Sequence, residues 1–502
     1  MNRDTEKKKD KAPQTKPSPV IPKRQAHPGS VLDQIHRAAE EVHARVYLVG
    51  GWVRNYVLNR LSLDIDLLVY GDPGFLSSLR TRIPSTLICL DKERSIHRLA
   101  LQGSPATIDV AFEKESVSLE QNLGERDFTI NAMAVKSDDA ALRDGFAEGL
   151  LIDPFHGRED VERGIIRMVR EENFLLDPLR LCRAFRFGAE FGFAIGGETL
   201  GAITRHATLI GSVSPERIRE EWVKMMGCPR TAPYVKKMQE TGLLGEILPE
   251  IRPMEGLDQG PRHALCLWEH SWETLHILEE MMHDPDAFLP PVCAKLVHSF
   301  THEQADQVPC LRMAALLHDI GKPEVAGTGK QGQITFYGHQ KRGAKILGKR
   351  MDALRFSRAE IRLTTRLVEN HMRPLLLSLA PKASDRAKVR LFIRLGDTWQ
   401  AVLLLSLADV FATVRDPQGR NTYAGFVASL LHLKGEIAQR EKKAPLVTGD
   451  DLQRELLFPP GPLMGKALAA INQSHLCGAI TTQEEALAMA RTFLTKTKTG
   501  SV

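Results

Sequence analysis

The sequence predicts an α+β protein: a head of mixed sheet and helices, followed by an all-helical body. Three observations predict it. Short β-rich runs at 46–49, 65–70 and 107–112 all fall in the first quarter of the 502 residues. Helical apolar spacing lies before and between them, and Gly, Pro and charged residues bound the runs. From about residue 155 the strand signals stop, while helical periodicity continues to the C-terminus. This length exceeds one ordinary domain. The expected division is a tail over 1–29, a head over 30–170, a helical neck over 171–255, a second domain over 256–444 and a helical tail over 445–502. We find no internal repeat.

Residues 1–29 carry Lys7, Lys8, Lys9, Lys11, Lys16 and Lys23 with almost nothing apolar. Such a segment cannot bury enough surface to fold and reads as a solubilising tail. The spacing Val31, Ile35, Ala38, Ala39, Val42 then predicts an amphipathic helix. The run Val46-Tyr47-Leu48-Val49 reads as a strand, Gly50-Gly51 as a turn, and Trp52 as a new helix start. A formal charge of +5 suits a polyanionic partner without specifying one. Seven cysteines, scattered and never spaced C-x-x-C, argue against a disulfide framework or a structural zinc site and for a reducing cytoplasm. The most apolar stretch, 401–408, is too short to cross a bilayer, so no membrane partner is expected.

The central pattern of the head is LVGGWVRN (48–55) followed by LDIDLLVYGD (63–72). On a strand, residues two apart share a face, so Asp64 and Asp66 present paired carboxylates. Two such groups repel unless a cation lies between them. Mg²⁺ fits, since it takes one or two carboxylates and fills its other positions with water and substrate phosphate. Gly50-Gly51 lets backbone approach a triphosphate at a helix N-terminus. A third carboxylate, Asp109, lies on ATIDVAF (106–112). Each piece alone is common by chance; their order and spacing make the combination specific.

These residues open a longer series: ERDFTINAMAV (125–135), DPFHGREDVERGIIRMV (153–169), DPLRLCRAFRFGAEFGF (177–193) and SPERIREEW (214–222). Together they resemble the successive motifs of class II tRNA nucleotidyltransferases, which bacterial poly(A) polymerases share, over roughly 45–250. The resemblance implies a polymerase-β-like nucleotidyltransferase head in which Asp64 and Asp66 hold catalytic metal, with Asp109 the third catalytic carboxylate. It implies nucleotide contacts from Gly50, Gly51, Arg54, Arg126, Asp127, Asn131 and Arg183, with Arg126 and Asp127 at the sugar and phosphates. Asp177 and Arg180 would read the base edge. At i and i+3 of one helix their side chains would meet, a carboxylate accepting from an exocyclic amine and a guanidinium donating to a ring nitrogen or carbonyl. The sequence departs from the family at Asn55, Glu125 and Leu176, where Asp, Arg and an acidic residue are usual. Only sixteen residues (110–125) separate Asp109 from Arg126. Complete CCA-adding enzymes typically carry a longer loop there, so the short connection leans to CC addition.

A second constellation runs through LWEHSWETLHIL (267–278), AALLHDIGKPEVAG (314–327), FYGHQKRGAKIL (336–347), VENHMRP (368–374) and LSLADVFA (405–412). It resembles HD phosphohydrolases, whose pattern maps onto His270, His318, Asp319 and Asp409. His339 and His371 occupy positions that can support a second metal. Imidazole nitrogens with carboxylate oxygens suit a transition metal such as Mn²⁺, Ni²⁺ or Co²⁺. Asp409 lies in the apolar run VLLLSLAD, where a carboxylate needs a strong partner. The chemistry expected is metal-activated water attacking a phosphomonoester or 2′,3′-cyclic phosphate.

The expected activity is addition of C, with A left open, from CTP and ATP to tRNA or other RNA 3′ ends. The alternatives are a poly(A) polymerase, or an HD phosphohydrolase whose head only binds RNA. The oligomeric state is unreadable.

Overall fold

The computed structural model describes residues 29–137, 150–260, 264–381, 383–442 and 444–498. The expected basic tail lies outside these apart from Gly29, which already begins a helix. Backbone contacts divide the chain into two compact units. Residues 1–123 and 133–154 form the first; 124–132 and 155–502 form the second. The division falls inside the segment expected as one head.

In the first unit, helix α1 (Gly29–Glu41) buries Ile35, Ala38 and Ala39, the stripe its spacing predicts. A seven-stranded sheet follows in the order β3-β4-β5-β2-β1-β6-β7. Its strands are β1 (Arg45–Val49), β2 (Asp64–Tyr70), β3 (Ser85–Asp91), β4 (Ile96–Leu101), β5 (Thr107–Glu113), β6 (Ala134–Lys136) and β7 (Leu151–Ile152). Only β2 and β5 pair in parallel; the other pairings are antiparallel. β2 is central, and Leu67 to Tyr70 are all buried, which explains its unbroken apolar run. β3 and β4 were not expected: β3 is an edge strand with exposed Leu87, Ile88 and Leu90, so its pattern never alternates. Helix α2 (Gly50–Val57) begins two residues before the expected Trp52. Gly50 has φ +64, a left-handed conformation that favours glycine.

The second unit is helical. Strand pairing does not quite stop at 155. Ile165–Ile166 pairs with Ala194–Ile195, and Gly327–Thr328 with Ile334–Thr335, but each piece is two residues long. The helix Arg180–Phe191 buries Leu181, Ala184, Phe185 and Phe187. At Gly188 a Cβ would lie 2.5 Å from the Tyr234 ring, so only glycine allows this approach. Further along, the helices Leu267–His283, Val308–Leu317 and Trp399–Thr413 pack on one another. Residues Gln400 to Ala412 are buried on every side of the last of these. The continuous stretch Asp385–Thr413 is long and apolar enough to cross a membrane by length and composition, beyond the short run read from the sequence; 72% of its most apolar window is buried inside the protein. It reads as a core helix. The C-terminal helices Gly449–Leu456, Pro462–Leu476 and Gln483–Lys498 share a separate cluster around Leu452, Phe458, Met464 and Ile471.

Candidate active centres

In the first unit, strand register assembles the expected carboxylates. On the parallel pair β2–β5, Asp64 lies opposite Thr107 and Asp66 opposite Asp109. Residues in register on neighbouring strands share a face, so all three carboxylates form one row. Asp64 is exposed, and its Oδ1 accepts from the Thr107 hydroxyl at 2.8 Å. Asp66 Oδ2 accepts from the Gly51 N–H at 3.0 Å. That amide thus orients one of the two carboxylates expected to hold the metal. No side chain caps the N-terminus of α2. Arg54 is buried, and its Nε and Nη2 donate to Asn55 Oδ1 at 3.2 and 3.0 Å. Asn55 therefore supplies the acceptor oxygen that the usual Asp would give. The donor set is oxygen only and open to water, which fits a hydrated hard cation.

Sequence reading missed Arg98. It lies across from Asp109 on the antiparallel pair β4–β5, and its Nε and Nη2 grip Asp109 Oδ1 and Oδ2 at 2.7 Å each. The guanidinium is held well protonated, first by the Asp109 bonds and further by the charges of Asp64 and Asp66. A strand reading of 96–101 was the missing signal.

The remaining expected nucleotide contacts lie in the second unit. Asp127 is buried, and its oxygens accept from Arg183 Nε (2.8 Å), Asn131 Nδ2 (2.9 Å) and the Phe128 N–H (2.8 Å). Burial pushes its carboxyl up most strongly, but Arg183, Asn131 and Phe128 together outweigh this and bring it down to about 2. Asp127 is thus placed to hold Arg183 and Asn131 in position. Arg126 Nη1 donates to the Asn131 carbonyl at 3.4 Å.

Asp177 and Arg180 do not meet on one helix. The helix begins at Arg180, and Asp177 is extended, with φ −146 and ψ 94. Pro178 is the cause, because a residue before proline is driven out of the α region. Asp177 Oδ1 accepts from the Leu179 N–H at 3.3 Å and Oδ2 from Arg217 Nη2 at 2.9 Å. Arg180 Nη1 donates to the Asn173 carbonyl at 3.2 Å. Asp177, Leu176 and Arg217 line a cleft of about 600 Å³. Arg217, within SPERIREEW, lies 40 residues from Asp177, so the pairing exists only in three dimensions.

The six residues of the second constellation do converge, and all are buried. His270 Nε2 lies 3.3 Å from His318 Nε2 and 3.2 Å from Asp409 Oδ1. Asp319 Oδ2 is 3.2 Å from His318 Nε2 and 3.6 Å from His270 Nε2. The other oxygen, Oδ1, faces His339 Nε2 at 3.2 Å and His371 Nε2 at 3.7 Å. Asp319 therefore spans two ligand groups, one oxygen to each.

The Nδ1 atoms of His318, His339 and His371 face the carbonyls of Ala315, Phe336 and Val368 at 2.9, 2.8 and 2.7 Å. Carbonyls accept only, so each Nδ1 carries a proton, and in the neutral ring each Nε2 turns a lone pair inward. Facing lone pairs repel unless a cation separates them. Asp319 Oδ1 is buried and has no hydrogen-bond partner of good geometry, with His339 Nε2 3.2 Å away. Converging lone pairs and an orphaned carboxylate oxygen fit a divalent metal.

Burial alone would push the His318 imidazole down, but Asp319 and then Asp409 outweigh it and raise it to about 9. His371 is pushed down to about 3, by burial first and by the His318 charge second. Lys322, not singled out from the sequence, is buried with Nζ 2.6 Å from Asp319 Oδ2 and 2.7 Å from Gln259 Oε1.

Four family models match the chain in order: the poly A polymerase head domain over residues 46–167, the probable RNA and SrmB-binding site of polymerase A over 192–254, the HD domain over 267–412, and a putative tRNA nucleotidyltransferase domain 2 over 431–490. The A-adding tRNA nucleotidyltransferase of Deinococcus radiodurans is 31% identical over 461 residues, 90% of this chain and 96% of its own. The CC-adding tRNA nucleotidyltransferase of Thermus thermophilus is 30% identical over 448 residues, 88% of this chain and 92% of its own. The fold resembles that of a Thermotoga maritima CCA-adding enzyme solved with tRNA, at a TM-score of 0.64 and 21% identity, covering 93% of this chain and 96% of that one. With the carboxylate row, the buried histidine–aspartate cluster and similarity along nearly the whole length, the chain belongs to the tRNA nucleotidyltransferase family, in a form that carries an HD domain.

Proposed function

We propose that this enzyme adds two cytidines from CTP to tRNA 3′ ends and then stops. The observation that carries this reading is the short connection between Asp109 of the carboxylate row and Arg126. β5 ends at Glu113 and the next helix occupies Leu119–Gly124, so residues 114–118 are all that separates the two elements. Accepting C and then A through one pocket requires the base-reading groups to shift, and so short a segment offers little lever. Leu176 adds to this, lacking the usual carboxylate beside Asp177. In this reading Asp64 and Asp66 hold Mg²⁺ with Asp109 as third carboxylate, and Gly50, Gly51 and Arg54 serve the triphosphate. Arg126, Asn131, Asp177, Arg180 and Arg183 serve nucleotide recognition, and Asp127 acts through Arg183. We place the head at 30–170, the neck at 171–255, the HD domain at 256–444 and the tail at 445–502, in a cytoplasmic enzyme.

The HD domain holds Mn²⁺, Ni²⁺ or Co²⁺ through His270, His318, Asp319 and Asp409, with His339 and His371 serving a second ion. It hydrolyses phosphomonoesters or 2′,3′-cyclic phosphates. A second specificity, addition of the terminal A alone, is favoured by the similarity to the Deinococcus radiodurans enzyme.

Three tRNA transcripts, ending before CCA, after C and after CC, separate these readings when each is incubated with CTP or ATP. Two-cytidine extension with no use of ATP is expected. Efficient A addition to the CC-ending transcript would replace CC addition by A addition. Long adenosine tails would move the activity to poly(A) synthesis.

A further inference from the structure

We propose that Arg98 is a positioning residue for nucleotide addition: its guanidinium fork fixes Asp109 within the carboxylate row. Three strands carry the arrangement. Arg98 on β4 is in register with Asp109 on β5, which is in register with Asp66 on β2. Neighbouring strands lie about 4.8 Å apart, so the Asp66 and Asp109 carboxylates repel one another across one step of the sheet. Left alone, Asp109 would turn away from Asp66. Arg98 opposes that turn from the other side, taking Oδ1 and Oδ2 together at 2.7 Å. A fork fixes both the plane and the rotamer of a carboxylate, whereas a point charge fixes neither. The Arg98 side chain keeps 40% of its exposure, so the pair adds little to stability. Its contribution is geometric: a pre-set carboxylate where two strands would otherwise push like charges apart. Thr107 on Asp64 and the Gly51 N–H on Asp66 do the same for the other two. Each carboxylate of the row thus has its own orienting donor.

The inference rests on the reading of this row as the nucleotidyl-transfer centre. The test uses the full chain with Mg²⁺, CTP and a tRNA transcript lacking CCA. For Arg98→Ala we expect kcat to fall about 10- to 100-fold, as positioning losses do. KM for CTP, and CTP affinity measured by equilibrium dialysis with Ca²⁺, should stay within about threefold. Arg98→Lys should recover little, because one ammonium cannot bridge both oxygens. Added guanidinium ion should restore at least about fivefold to Arg98→Ala and nothing to Asp109→Asn, since the fork needs its carboxylate.

Full activity in Arg98→Lys would show that charge alone suffices and overturn the proposal. Unchanged kcat in Arg98→Ala, or equal guanidinium stimulation of Asp109→Asn, would do so as well. If Asp64→Ala and Asp109→Asn are inactive while Arg98→Ala is normal, only this inference fails. If Asp64→Ala is as active as the parent, the reading of the row fails and takes this inference with it. Should Arg98→Ala melt several degrees low, Arg98→Lys and the guanidinium dependence still decide.

Discussion

The carboxylate row of the first unit and the histidine–aspartate cluster of the second both present donors suited to a divalent ion, in opposite ways. The row offers oxygens alone, on a strand end with Asp64 exposed, and each carboxylate is steadied by a neutral donor or by Arg98. The cluster offers imidazole nitrogens and two buried aspartates, with converging lone pairs and one orphaned oxygen. An open oxygen site suits an ion that keeps water and shares its coordination with a triphosphate. A buried nitrogen–oxygen site suits an ion that stays with the protein. The lesson is that donor type and burial vary together. The row is legible as a pair of aspartates, while the cluster exists only once five helices and their caps are folded.

The largest expected effect removes a ligand from the open site. Asp64→Ala or Asp66→Ala should lower nucleotide addition by about 10³-fold or more, because the metal's charge stabilisation is lost with the ligand. Melting temperature should hardly move, as neither side chain fills the core. Near-normal addition by either variant, measured by gel-resolved tRNA extension, would refute the assignment of the row.

The buried site should respond differently. The parent should retain a transition metal through purification, measurable by elemental analysis, and His318→Ala or Asp319→Ala should lose it. Metal-stimulated phosphatase or cyclic phosphodiesterase activity should fall at least about 100-fold with the metal, while nucleotide addition is spared. Losing both activities at unchanged melting temperature would show that the two centres are not independent. If the parent neither retains metal nor hydrolyses any substrate, the HD domain is structural.

The sequence carries the elements that bury an apolar stripe and omits those that do not. Strands β1, β2 and β5 are central, so their runs are nearly continuous. Edge strand β3 and its partner β4 show no such pattern, and Arg98 went unseen with them. Asp64 and Asp66 needed only the period of two within one strand. Pairing Asp109 with Asp66 needed the register of two strands 43 residues apart, which no local pattern encodes. The failure at Asp177 was avoidable: Pro178 is in the sequence, and the residue before proline rarely continues a helix. In the HD domain the six residues that converge were legible from the family pattern of residue types in order. Lys322, four residues beyond His318, carries no metal-ligand signature, and its bond to Asp319 arises only in the folded domain.

A buried carboxylate held by an ion pair should leave its mark on acid stability. Asp127 falls from the usual 3.8 to about 2 when folded, so its contribution is present above the unfolded value and lost as pH drops between the two. That depression corresponds to about 2 to 3 kcal/mol at neutral pH, as an order of magnitude. Melting temperature followed from pH 5 to pH 2 should therefore fall more steeply in the parent than in Asp127→Asn, which no longer titrates. Parallel curves would mean that Arg183 finds an equivalent partner. A gentler perturbation is Thr107→Val, which removes one exposed hydrogen bond from the row.

That last variant should have the smallest effect. Thr107 donates to Asp64 Oδ1 at 2.8 Å, and valine keeps the volume while deleting the hydroxyl. A solvent-exposed hydrogen bond of this kind contributes about 0.5 to 1.5 kcal/mol net, which bounds the change at roughly threefold to tenfold. It should appear as a higher Mg²⁺ requirement for addition, with kcat at saturating Mg²⁺ and melting temperature close to the parent. The direction follows from the row itself: an unsteadied Asp64 samples rotamers that cannot reach the ion, and excess metal draws it back. A matching loss at saturating Mg²⁺ would mean instead that the Thr107 hydroxyl serves the chemical step, and the orienting donors would no longer be interchangeable in kind with the Gly51 amide.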